Sequence, residues 1–180
     1  MKQIIAMLAG LLCAASVWAQ TDSIGVYAVR GSALDRVEIL NYSATKISKG
    51  FIKAKARLEF SGAASANQFD GSATFRLYFG VPSPYETAKY YMFTPSYSAK
   101  DFGVGRFEVK DGKRYLSTAT VSIVGSKLGA DGAEDLNIET TKLRDNVYEI
   151  TVSGPAGQYC IMPVINGTAG YTGVFDFSLE

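Results

Sequence analysis

The sequence predicts an all-β fold, an antiparallel sandwich of the immunoglobulin-like kind, and three observations carry that expectation. Apolar residues recur at every second position over many short segments. Glycine, proline, asparagine and aspartate punctuate those segments at close intervals. Near the end, SGPAGQYCIMP (residues 153–163) reads as a turn into a late strand with a tyrosine at its corner. The cleanest alternation is FIKAKARLEF (51–60), which puts Ile52, Ala54, Ala56, Leu58 and Phe60 on one face and Lys53, Lys55, Arg57 and Glu59 on the other. That is the pattern of a half-buried antiparallel strand.

Taken in order, strands are expected at about 24–30, 35–42, 51–60, 73–80, 90–95, 104–110, 114–123, 136–141, 147–153, 158–164 and 173–179. Lys110-Asp111-Gly112-Lys113 holds the Asp-Gly pair of a tight hairpin, and Asn166-Gly167 opens the loop before the last strand. Ser83-Pro84 suits the start of one short helical turn, since serine caps and proline tolerates the first position. SGAASANQFDGS (61–72) and GSKLGADGAED (125–135) read as long loops, the places where function tends to sit. In the corner segment, the Tyr159 hydroxyl is expected to return to backbone. One residue fewer separates Tyr159 from Cys160 than in an antibody-type domain, so the cysteine falls on the opposite face as a packing residue.

Residues 1–19 have the features of a secretory signal peptide: Lys2, an apolar run from Ile4 to about Val17, and a small residue, Ala19, at the cleavage point. The expected mature chain, 20–180, is a single domain with one thiol, so it forms no internal disulfide, and it lacks the core tryptophan of antibody domains because Trp18 belongs to the signal. Cleavage leaves 17 basic and 17 acidic residues, which argues against nucleic acid as a partner. Basic residues concentrate before Tyr115 and acidic ones after it, an imbalance that a single domain would cancel. No apolar run after the signal reaches the length of a transmembrane helix.

The sequence contains no histidine, which rules out Ser-His-Asp and Cys-His catalysis and every zinc motif built on histidine. Ser43-Ala44-Thr45-Lys46 has the spacing of a serine-lysine pair but falls in an expected turn rather than a helix. GVGRFE (103–108) carries two glycines at dinucleotide-loop spacing without the third, and reads as a strand entry. Asp131, Glu134 and Asp135 form the densest carboxylate group, but without the ladder of a calcium loop they read as solvated loop charges, and Glu38 and Glu59 as surface ion-pair partners. No cofactor and no metal are expected.

Two features point outward. SPYETAKYYMFTPSY (83–97) carries Tyr85, Tyr90, Tyr91 and Tyr97, whose rings suit stacking on sugars or anchoring a protein partner; in an extended chain Tyr90 and Tyr91 point to opposite sides, one packing with Phe93. Lys53, Lys55 and Arg57 form a cationic row suited to anionic glycan or lipid headgroups. GVYAV near the mature start, VEILNYSATK after it, and NVYEITV, PAGQYCIMP and VFDF at the end resemble a group of uncharacterised secreted bacterial proteins, with FRLYF (75–79) and GRFEV (105–109) between. That resemblance implies a β-rich fold in a bacterial envelope or extracellular setting and transfers no site residues. The expected function is a secreted or periplasmic, non-catalytic binding or structural module with a glycan or another envelope protein as partner. Its alternatives are a small glycan hydrolase using paired carboxylates and an eight-stranded outer-membrane barrel.

Overall fold

A computed structural model describes residues 23–49, 53–85, 89–122, 125–128, 134–164 and 173–180. The expected signal, residues 1–19, and Asn166-Gly167 lie outside them. The described chain is all-β: β1 (Gly25–Arg30), β2 (Ala33–Val37), β3 (Ala44–Lys49), β4 (Lys53–Ser61), β5 (Gln68–Phe69), β6 (Ser72–Tyr78), β7 (Phe102–Arg106), β8 (Glu108–Lys110), β9 (Lys113–Ser122), β10 (Gly125–Leu128), β11 (Asn137–Arg144), β12 (Val147–Ser153), β13 (Gly157–Pro163) and β14 (Phe175–Leu179).

These strands form three open sheets. The first runs β11-β12-β6-β1-β2, the second β5-β14-β13-β7, and the third β10-β9-β4-β3 with β8 paired to β9. All pairings are antiparallel except β5 on β14, which is parallel. A closed ladder, as the barrel alternative requires, is not the arrangement of the described strands. No helix among the described residues is long and apolar enough to cross a membrane.

The second sheet is the middle layer. On one face Phe102, Val104, Tyr159, Ile161, Phe175, Phe177 and Leu179 pack against Val26, Ala28, Phe75, Leu77, Ile150 and Val152 of the first sheet. On the other, Cys160, Met162 and Val174 pack against Leu58, Phe60 and Leu116 of the third, with Phe107 between. A strand covered on both faces is buried without alternation: in β13 Tyr159 to Met162 form a continuous apolar run, while β14 is buried throughout although Asp176 and Ser178 alternate with its apolar residues. Tyr159 and Cys160 do face opposite ways, and the Tyr159 hydroxyl donates to the Pro155 carbonyl at 2.7 Å, forming the expected corner.

Turn chemistry sets the hairpins. Asp111 (φ 51°) and Gly112 (φ 71°) both occupy the left-handed region between Lys110 and Lys113, as a two-residue type I′ turn demands. After β2 the chain crosses from the first sheet toward the second, where Leu40 and Val174 exchange backbone hydrogen bonds of 2.8 and 3.0 Å. Gly173 permits this crossing, since a Cβ there would sit 2.7 Å from the Leu40 carbonyl oxygen and clash with Ile39.

Several expectations are corrected. Residues 43–46, read as a turn or loop, lead into and begin the edge strand β3 (Ala44–Lys49); extended backbone puts Ser43 and Lys46 on opposite faces, which disposes of the serine-lysine pair. Residues 90–95 are not a strand but contain a 3-10 turn, Tyr91–Phe93, because Tyr90 and Phe93 fold inward together. The expected strand 35–42 ends at Val37, and 104–110 breaks at Phe107, where the chain passes from the second sheet to the third. The loop 61–72 contains β5, and 125–135 begins with β10. At Ser83-Pro84 the described chain makes a turn over 84–85, and residues 86–88 lie outside it.

Candidate functional site

The aromatic stretch is mostly core. Tyr90 is 2% exposed, its ring set edge-on to Phe93 at 5.8 Å with the Arg36 guanidinium over it at 5.0 Å. It therefore supplies packing area and cation–π attraction inside the fold rather than a ligand platform. Tyr91 and Tyr97 pack partly buried against the same core. Burial lifts the Tyr91 phenol above its ordinary value, and the neighbouring Tyr97 adds to the rise. Tyr85 alone of the four stands in solvent, at 99% exposure.

The cationic row on β4 is part of a wider surface. Lys53 lies in β4 but its side chain is outside the described residues; Lys55 and Arg57 are half-buried. Pairing aligns Lys46 with Arg57, and Glu108 and Lys110 with Tyr115 and Lys113, so the same outer face of the third sheet carries charges from β3, β8 and β9 as well. The Arg57 guanidinium meets Glu108 at 3.1 Å.

Glu59 is the expected ion-pair partner, but a buried one rather than a surface one. Its side chain is only 7% exposed, gripped by Lys113 at 2.6 Å and Lys46 at 3.5 Å. The hydrogen bond from Lys113 holds its carboxyl below the usual carboxylate range, and Glu59 in turn raises the Lys113 ammonium. Alternation alone hid this, because it assigns a face without saying what covers it.

A cleft of about 470 Å³ opens at the end of the molecule between Val29, Arg30, Gly31, Gln68, Phe69, Asp70 and Glu180. The turn after β1, the short strand β5 and the residue after β14 build it. Parallel pairing of Ser178 with Gln68 and Leu179 with Phe69 carries on to set Glu180 beside Asp70, and backbone bonds lock the two segments: Glu180 N–H to Phe69 O at 2.9 Å and Gly71 N–H to Glu180 O at 3.1 Å. Arg30 caps Phe69 at 4.4 Å and pairs with Asp35 at 3.3 Å. No local motif announces these residues; the β5–β14 pairing and Arg30 reaching Phe69 from another sheet gather them, though residues 68–70 do belong to the loop region marked from the sequence.

The remaining reactive groups are internal. Cys160 is fully buried, and desolvation pushes its thiol well above the ordinary cysteine value, which keeps it protonated and inert. Arg114 lies beneath the third sheet, bonded to Asp176 at 2.5 Å and to the carbonyls of Gly62 and Ser61 at 3.1 and 3.3 Å. Glu134 and Asp135 are exposed and Asp131 is outside the described residues; among those residues no three histidine, cysteine or carboxylate side chains gather as a metal site.

No known family model matches this chain, and no curated protein matches it.

Proposed function

We propose that the chain is an exported, immunoglobulin-like sandwich acting as a non-catalytic binding or structural module of a bacterial envelope or secretome. Strand order supports the fold reading. Taken along the chain, β1, β6, β12 and β11 pair in the succession A-B-E-D, and β7, β13 and β14 in the succession C-F-G, the two sheets of a constant-type domain. The corner at Tyr159 stands at the start of the F-like strand, where such domains keep it. On this reading β3–β4 and β8–β10 are insertions that add the third layer. The signal-like residues 1–19 support export.

One observation carries the binding reading. Cys160, Tyr159, Glu59, Arg114 and Asp176, side chains with chemistry to offer, are engaged in joining layers or pinning strands, which leaves recognition to outer faces and loops. A second reading, a small glycan hydrolase, is favoured by Asp70 and Glu180 standing side by side at the cleft, since paired carboxylates are what such chemistry needs. A glycan and envelope-protein binding screen, run beside an assay for released sugar, separates the two. Selective binding without turnover is the expected result. Sugar release that disappears in Asp70→Asn or Glu180→Gln would replace the module with the enzyme.

A further inference from the structure

We propose that the outer face of the third sheet is the docking surface for an acidic polysaccharide, an inference that rests on the binding-module reading and gives it a partner. Among the side chains described, five cations share this face: Lys46 on β3, Lys55 and Arg57 on β4, Lys110 on β8 and Lys113 on β9. They face two carboxylates, Glu59 and Glu108. The whole chain carries a net charge of only +1, so the surplus on this single face is not a property of the protein at large.

Exposure sharpens the asymmetry. Glu59 is sunk to 7% while its partners Lys46 and Lys113 remain 58% and 47% exposed. The buried carboxylate pairs with both ammonium groups, yet is itself covered from anything arriving from solvent. An anion approaching Lys46 and Lys113 therefore meets the cations first. At the neighbouring pair Glu108 is 52% exposed and Arg57 25%, and their 3.1 Å contact neutralises that carboxylate.

The shape of the surface selects the partner. Adjacent strands stand about 4.8 Å apart and alternate residues along a strand about 6.8 Å, so the cations form a shallow grid rather than a pocket. A grid suits a linear chain with repeated negative charge better than a compact anion. Tyr115 stands on the same face, paired with Glu59 on one side and Glu108 on the other, and Ser48 and Ser117 lie in the flanking rows. An aromatic ring and hydroxyls among cations answer the ring faces, hydroxyls and acid groups of a uronate-bearing or sulfated sugar chain.

Equilibrium binding of the purified protein to polygalacturonate, heparin, neutral dextran and phosphatidylglycerol vesicles tests this. Binding to at least one of the two acidic polysaccharides, and not to dextran, is expected, weakening about tenfold or more as salt rises and the screening length shrinks. The double variant Lys55→Glu/Lys110→Glu, which leaves the Glu59 cluster intact, should lose at least about tenfold in affinity, whereas Lys100→Glu, an exposed charge off this face, should change it less than about twofold. Equal losses in both variants would reduce the effect to bulk charge and overturn the proposal. So would binding to vesicles alone, or no binding to either acidic polymer at low salt. Binding to dextran or to an envelope protein that survives the double variant would overturn this surface while leaving the module reading standing; sugar release dependent on Asp70 would overturn that reading instead.

Discussion

The two faces of β13 differ in kind. Tyr159 and Ile161 enter an aromatic interior where Phe177 lies 4.8 Å from Phe75 and 5.7 Å from Tyr159, ring centroid to centroid. Cys160 and Met162, one residue out of phase, enter a smaller interior that also holds the Arg114–Asp176 ion pair. The first interface is held mainly by apolar area, where a lost side chain leaves a cavity. The second joins an added layer through fewer apolar side chains and one buried charge pair, whose net contribution depends on both partners being present. A middle sheet buried on both sides can thus be anchored by two different kinds of physics, and perturbations should tell them apart.

The largest effect is expected on the aromatic side. Phe177→Ala removes a fully buried ring from contact with Phe69, Phe75 and Tyr159 and should cost about 4–5 kcal/mol by denaturant titration, a large share of the roughly 5–15 kcal/mol that holds a domain folded. On the polar side, Asp176→Asn leaves Arg114 buried and uncompensated and should cost about 3 kcal/mol, while Arg114→Met/Asp176→Leu should return most of that loss. A double-mutant cycle measures the difference; a double variant as damaged as the single one would mean the pair does more than neutralise itself. Tyr159→Phe keeps the ring and loses only the 2.7 Å bond to Pro155, so a drop of about 1 kcal/mol is expected.

The smallest effect is a change in acid response. Because Lys113 depresses the Glu59 carboxyl below its ordinary value of 4.5, the stability this group contributes is present above that value and is lost as pH falls through the lower folded value. Glu59→Gln should therefore flatten the fall in stability below about pH 4.5 and, because Glu59 also raises the Lys113 ammonium, flatten as well the fall on the alkaline side as pH rises above 10.5. An unaltered acid profile would show that the buried carboxylate carries no such linkage.

What the sequence revealed follows the same division. Period-two alternation located β1, β4, β6 and β12, and the Tyr159–Cys160 phase was readable because neighbours on a strand must face apart. The third layer was not readable from it. Alternation says that Cys160 points away from Tyr159, but no single segment says that another sheet waits on that side. β3 escaped notice because Ala44–Lys49 is polar at an exposed edge, although Thr45 and Ile47 against Lys46 and Ser48 keep the same period and widen the cationic face. Residues 90–95 misled in the other direction, since aromatic side chains favour strands on average while here Tyr90 and Phe93 close around a tight turn. The cleft was invisible because a two-residue parallel pairing sets Asp70 beside Glu180, and Arg30 reaches Phe69 from another sheet.

The account depends most on the third sheet covering the far side of the middle one, and Cys160 reports on that contact directly. In the chain beginning at Gln20 it is the only thiol, so its rate of reaction with an aromatic disulfide reagent is unambiguous. The account predicts no measurable reaction in native buffer and stoichiometric reaction only as the protein unfolds in denaturant. Rapid labelling of the native protein, with the first and second sheets still intact by near-ultraviolet circular dichroism, would contradict it.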